Sequence, residues 1–288
     1  MPHRATASRF RLGPVRSPFA RALCLAGFVA AAIPAPASAQ EMLTVPTRPG
    51  VTVRVLLVAP TGSPSATLLM FPGGFGDNHF GDEDGKVWLG KNFLVRTARL
   101  FAARGLLAAV IDTPSDQPKG MDDAFRMGKA HVEDVRKVLD VLAERAPVPT
   151  YLAGTSRGTL SAAAIATTLK DPRVAGLVLT ASIVDSGRGR NRAATVYDAP
   201  LKRITMPVLV VHHRQDGCWA TPIGAASGLP AALGGSTKVD FAEVSGGDPP
   251  RSDPCEAFAA HGFLGREREV VGVIADWVAG KPVPKQVP

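Results

Sequence analysis

Two hydrophobic periods alternate along the chain from about residue 50 onward. Short apolar runs bounded by glycine, proline or polar residues, at 51–58, 67–71, 106–111, 150–153, 176–180, 208–212 and 238–244, predict buried strands. Between them, apolar residues recur at helical spacing over 91–104, 122–145, 157–170, a shorter piece at 221–233, and 266–279. Such alternation predicts a largely parallel sheet with helices on both faces. No internal repeat interrupts it. The segment 182–202 is long enough to form a small flap, and the proline-rich stretch 281–288 reads as a flexible tail.

Residues 1–39 follow a different pattern. Five arginines and no acid precede or enter an apolar stretch at 22–33, and the small-residue site Ala37-Ser38-Ala39 follows. This is the composition of a secretory signal peptide, so residues 40–280 are read as one folded domain in an exported protein, periplasmic or secreted. No later run approaches about 18 uninterrupted apolar residues, and no stable membrane insertion is expected once the leader is removed. The formal charge of +8 includes the five leader arginines, which leaves +3 for the rest. Those charges are scattered without a basic stripe or interleaved aromatic residues, which argues against a nucleic-acid partner. No consecutive arginine pair precedes the apolar stretch, which argues against twin-arginine export and a cofactor inserted before it, and none is expected.

Chemistry enters at Gly154-Thr155-Ser156-Arg157-Gly158, a Gly-x-Ser-x-Gly pentapeptide between a predicted strand and a predicted helix. The pattern puts a serine on a sharp turn where a side chain at either glycine position would strike neighbouring backbone. A serine hydroxyl is a weak nucleophile at neutral pH and needs a histidine base oriented by an acid. Asp216 follows the strand at 208–212, at the edge where open sheets carry their chemistry, with Asp185 as the competing acid. Among six histidines, His261 lies on the loop between the last strand and the last helix, next to a glycine. His131 falls on a long polar helix and is expected at the surface, while His212 and His213 read as structural. Backbone donors for an oxyanion are expected from Arg157, after the serine, and from the glycine turn after the strand at 67–71. There Gly74 is the first choice and Phe75 the second.

Cys218 and Cys255 are the two cysteines outside the leader, and an oxidising compartment favours their pairing. A bridge would tie the Asp216 loop to the His261 loop. Their spacings match no zinc site, and the acidic run Asp77, Asp82, Glu83, Asp84 lacks the ligand spacing of a calcium loop, so no metal is expected. Arg188, Arg190 and Arg192 read as a solvated loop, and Trp88, Trp219 and Phe75 as packing or pocket residues.

The elbow, the early glycine turn, the late acid and the final-loop histidine occur in the order that makes the chain resemble the α/β-hydrolase superfamily over nearly all of residues 40–280. The resemblance implies a mostly parallel sheet of about eight strands with at most a small lid, and a Ser156, Asp216, His261 triad. Pro72 stands where lipases and esterases of the HGGG type carry histidine. Serine as nucleophile departs from dienelactone hydrolases, which use cysteine, and from haloalkane dehalogenases, which use aspartate. The implied activity is hydrolysis of a small-molecule carboxylic ester, with amide or peptide cleavage, or ligand binding without turnover, as alternatives.

Overall fold

The computed structural model describes Met1, Gly13 and residues 40–288 apart from 79, 81, 84, 85, 88, 89 and 188–191. The stretch read as a leader therefore lies outside the described residues save for Met1 and Gly13, as do His79, Asp84, Trp88, Arg188 and Arg190.

The sheet grows from its apolar runs. Strands β1 (Gln40–Arg48), β2 (Val51–Val58) and β3 (Ala66–Phe71) come first, followed by a separate two-stranded piece, β4 (Asp82–Glu83) and β5 (Lys86–Val87). Then come β6 (Leu106–Pro114), β7 (Thr150–Thr155), β8 (Val174–Thr180), β9 (Val208–His213), β10 (Val239–Val244) and β11 (Gln286–Val287). Nine of them form one sheet in the order β1-β2-β6-β3-β7-β8-β9-β10-β11, antiparallel across the first two pairings and parallel from β6 onward. The order reverses beside β3, which sets β3 and β7 side by side at the centre.

Helices α1 (Phe93–Arg96), α2 (Ala98–Ala103) and α8 (Glu267–Val278) share an apolar core with one face, and α4 (Lys129–Arg145) and α5 (Gly158–Thr168) with the other. Strand side chains alternate between these cores even where the whole strand is buried: Leu69 and Phe71 enter one, Leu68 and Met70 the other. Each such fully buried leucine contributes roughly 1.5–3 kcal/mol. The predicted helix at 91–104 breaks at Thr97, whose hydroxyl donates to Phe93 O at 2.6 Å. That at 122–145 divides into α3 (Asp123–Arg126) and α4, with Gly128 at the α4 N-cap. The shorter piece at 221–233 is two single turns, α6 (Ile223–Ala226) and α7 (Leu229–Ala232).

Three differences from the sequence reading have physical causes. Strand β1 was not predicted, yet its burial alternates along Leu43, Val45 and Thr47 as it pairs with β2. The tail at 281–288 does not simply fray: Gln286–Val287 pairs in parallel with β10, and Val287 is buried. His131 is wholly buried rather than exposed, set edge-on to Phe71 with neither ring nitrogen hydrogen-bonded. The apolar neighbours on the sheet side of α4 outweigh the polar look of its sequence.

Burial pushes the His131 imidazole down to about 3, helped by the charges of Arg126 and Arg48. Burial likewise brings His212 down to about 4 from the ordinary 6.5, against the pull of Asp216. Both folded values lie below the unfolded one, so the unfolded chain binds more protons in acid and stability is lost as pH falls below about 6.5. Each histidine should cost roughly 2–3 kcal/mol by pH 4.5. Urea midpoints at pH 7 and 4.5 check this, and His131→Phe is expected to shrink the difference.

Candidate active site

β7 ends at Thr155 and α5 begins at Gly158, so Ser156 and Arg157 alone make the strand-to-helix connection. Ser156 sits in the left-handed region at φ 51°. Its N–H donates to Thr180 O at 3.0 Å, and its C=O accepts from Thr159 N at 2.9 Å and from Thr159 Oγ1 at 2.6 Å. A Cβ on Gly154 would stand 2.5 Å from Gly158 O, and one on Gly158 1.9 Å from Phe71 O. Both glycines are therefore required by close backbone approach, and the strained serine is held by partners on both sides.

The predicted acid and base meet. His261 Nδ1 lies 3.0 Å from Asp216 Oδ2, with the His261 side chain 6% exposed and that of Asp216 wholly buried. Thr221 Oγ1 donates to the same carboxylate oxygen at 2.8 Å, and Cys218 N–H donates to Oδ1 at 2.9 Å. Burial alone would push the Asp216 carboxyl up, but the hydrogen bond and charge of His261, with the Cys218 and Thr221 donors, hold it below the ordinary range. A carboxylate bonded at Nδ1 leaves Nε2 as the imidazole's free nitrogen. Asp185 is elsewhere: it is exposed and accepts the Gly187 N–H at 2.8 Å.

Ser156 and His261 open on one cavity of about 350 Å³, lined also by Gly74, Arg157, Ile183 and Trp219. After β3, Gly76 N–H donates to Gly73 O at 3.1 Å, closing a tight turn with Gly74 at φ 60°, a conformation suited to glycine. The Arg157 guanidinium is turned aside, bonded to Asp123 by Nε at 2.9 Å and Nη2 at 2.5 Å and lying over the exposed Phe75 ring. Asp123 Oδ2 also accepts the Ala194 N–H at 3.0 Å, which ties the chain at Ala194 to α3. Of the arginines at 188, 190 and 192, the last lies among the described residues and donates to Ser186 Oγ at 3.0 Å.

Cys218 and Cys255 form a disulfide across 4.4 Å between Cα atoms, and both residues line the cavity. The bridge joins the Asp216 loop to the His261 loop across 37 residues, worth about 4 kcal/mol in the chain-entropy model. The double variant Cys218→Ala, Cys255→Ser should therefore melt roughly 10 °C lower, as calorimetry would show.

Two elements went unrecognised in the sequence. Thr221 completes the carboxylate's hydrogen bonds from five residues downstream, with no motif to announce it. Arg96 donates to Gly262 O and Glu267 Oε1, holding the base loop from α1. His212 and His213 are structural as read: His212 Nε2 accepts Ser182 N–H at 2.9 Å, and His213 Nε2 bonds Gly246 O at 2.9 Å.

No protein-family model matches the chain, and no curated protein matches it either. Solved structures do. The Pyrococcus furiosus esterase Pf2001 superposes with a TM-score of 0.59 at 12% identity, covering 85% of this chain and 93% of that one. Est1E from Butyrivibrio proteoclasticus gives 0.55 at 15% identity, covering 83% and 98%. The acylaminoacyl peptidase of Pyrococcus horikoshii gives 0.59 at 10% identity, covering 85% of this chain but 42% of the other. At these identities the likeness speaks for the path of the backbone, and it agrees with a sheet antiparallel at one edge and parallel beyond, with its strand-to-helix elbow at the centre: the chain has the α/β-hydrolase fold.

Proposed function

We propose that this chain is an exported serine hydrolase that cleaves small carboxylic esters through an acyl-enzyme. The observation that carries the reading is that His261, which lines the same cavity as Ser156, is hydrogen-bonded through Nδ1 to the buried Asp216 carboxylate behind it. Ser156 Oγ attacks the carbonyl carbon while His261 Nε2 takes the hydroxyl proton, and the carbonyl electron pair moves onto oxygen. Amides of Arg157 and Gly74 receive that charge, Arg157 with the added field of the α5 N-terminus. The oxyanion collapses, the C–O bond to the alcohol breaks, and His261 Nε2–H returns the proton to the leaving oxygen. Water repeats the sequence on the acyl-enzyme and frees the acid and Ser156. Asp216 holds the imidazolium throughout without taking its proton.

The leader and the Cys218–Cys255 bridge support a periplasmic or secreted location. Among the described residues no helix is long and apolar enough to cross a membrane. The cavity is near the lower end of the range of about 300–1,000 Å³ for small-molecule sites, which favours short acyl chains. Hydrolysis of a p-nitrophenyl series from acetate to palmitate tests the reading. Turnover greatest at the short end is expected. Inactivity on every ester, with turnover of an acylated amino-acid amide, would replace it with an amidase or peptidase; inactivity on both would leave a binding protein.

A further inference from the structure

Arg126, the last residue of α3, is among the largest wholly buried side chains, and nothing in the reaction above uses it. Its Nη2–H donates to Gly74 O at 3.1 Å and to Pro72 O at 3.3 Å, and its Nη1–H donates to Ser161 Oγ at 3.1 Å. Nε has no hydrogen-bond partner, and among the described residues no carboxylate is hydrogen-bonded to the group. Asp123 acts on it only through space and is itself engaged by Arg157 and by the Ala194 amide. A buried cation without a bonded counter-ion is costly, and burial pulls this guanidinium down to about 9. An apolar side chain would fill the same space without that cost.

What the guanidinium holds is the glycine turn. In a planar trans peptide, the C=O of one residue and the N–H of the next point in opposite directions. Arg126 draws the Pro72 and Gly74 carbonyls to itself and so fixes the directions of the Gly73 and Phe75 amides. Between them, the Gly73–Gly74 peptide, which carries the Gly74 N–H, has its carbonyl closed by Gly76 N–H, so Arg126 holds that amide through the clamped peptides on either side of it, and Phe75 O accepts Met121 N–H at 2.8 Å. Gly73 and Gly74 face the cavity, whereas Arg126 does not line it. The Ser161 contact extends the same clamp to α5, the helix that begins directly after Arg157. Gly76 is packed against the group so closely that a Cβ there would stand 2.8 Å from Arg126 Nη2.

We propose that Arg126 is the positioning residue of the oxyanion site, one guanidinium bracketing the turn at 72–74 and the helix behind Arg157 so that amides from both elements face the same point. The proposal rests on the serine-hydrolase reading. It also places a fixed positive charge behind the turn, where it favours the charge that develops on the substrate oxygen more than the neutral ester. Loss of the bracket therefore acts on turnover and not on substrate binding.

The test compares wild type with Arg126→Met, Arg126→Lys and the milder Ser161→Ala on a p-nitrophenyl ester, with active sites counted by fluorophosphonate burst titration. Arg126→Met is expected to lower kcat per titrated site roughly 100-fold with KM little changed, about the effect of removing one oxyanion donor. Arg126→Lys, which keeps charge but not the fork, should fall between, and Ser161→Ala should lose several-fold in kcat alone. The second-order rate of phosphonylation should fall in parallel, because its transition state also places negative charge on oxygen. Full kcat per site in Arg126→Lys and Ser161→Ala would overturn the proposal, even if Arg126→Met does not fold. So would a loss confined to the number of titratable sites or the melting temperature, which is what a merely structural residue gives. A wild type that neither turns over ester nor takes the probe would overturn the serine-hydrolase reading, and the proposal with it.

Discussion

Ser156→Ala is expected to lower kcat/KM on esters by on the order of 10⁵-fold, because the attacking oxygen is removed and the other groups retain only the modest acceleration left by binding and oxyanion donors. Folding should hardly notice. The elbow is held by backbone hydrogen bonds to Thr180 and Thr159, and alanine keeps the Cβ at the same strained φ of 51°. A melting temperature within about 2 °C of wild type, with the rate at background, is the expected pair of results. Steady-state kinetics beside differential scanning calorimetry checks both. Partial activity in this variant would mean that some other residue attacks.

Asp216→Asn should also bring a large loss, roughly 10⁴-fold in kcat. An asparagine amide that turns its NH₂ towards Nδ1 favours the tautomer with the proton on Nε2, the nitrogen that must accept from serine. The change has a stability side as well. Because the Asp216 carboxyl is held below its ordinary range, its stabilising contribution is full above the unfolded value and disappears as pH falls through the folded one. Asp216→Asn should therefore destabilise at neutral pH, and progressively less as pH falls below the ordinary carboxylate range, which urea unfolding at a series of acid pH values would show. Asp185→Asn, at an exposed carboxylate occupied with the Gly187 amide, should leave the rate essentially unchanged.

Sequence reveals what is encoded locally. The buried strands of the parallel sheet are apolar runs with turn residues at their ends, and the elbow is five consecutive residues whose two glycines are explained by contacts of 2.5 and 1.9 Å. Asp216 and His261 were readable because each follows a strand at the edge where the sheet opens, although 45 positions separate them. What sequence conceals is set by distant partners. β1 begins directly after the stretch read as a leader and carries Pro46 within its alternating pattern, and β11 is two residues whose pairing depends wholly on β10. His131 and Arg126 look like solvent-facing polar residues until the sheet is folded beneath them. Arg126 in particular gives no local signal: its partners are carbonyls more than fifty positions away and a serine hydroxyl on α5. Thr221 is near Asp216 in the chain, but only the folded loop turns its hydroxyl onto the carboxylate.

The most direct measurement is the intact mass of the protein after reaction with a fluorophosphonate, followed by peptide mapping of the adduct. One phosphonyl group per chain on the peptide containing Ser156 is expected, absent from Ser156→Ala and formed far more slowly in His261→Ala. No adduct on the wild-type protein, or an adduct that persists in Ser156→Ala, would contradict the assignment of Ser156 as nucleophile.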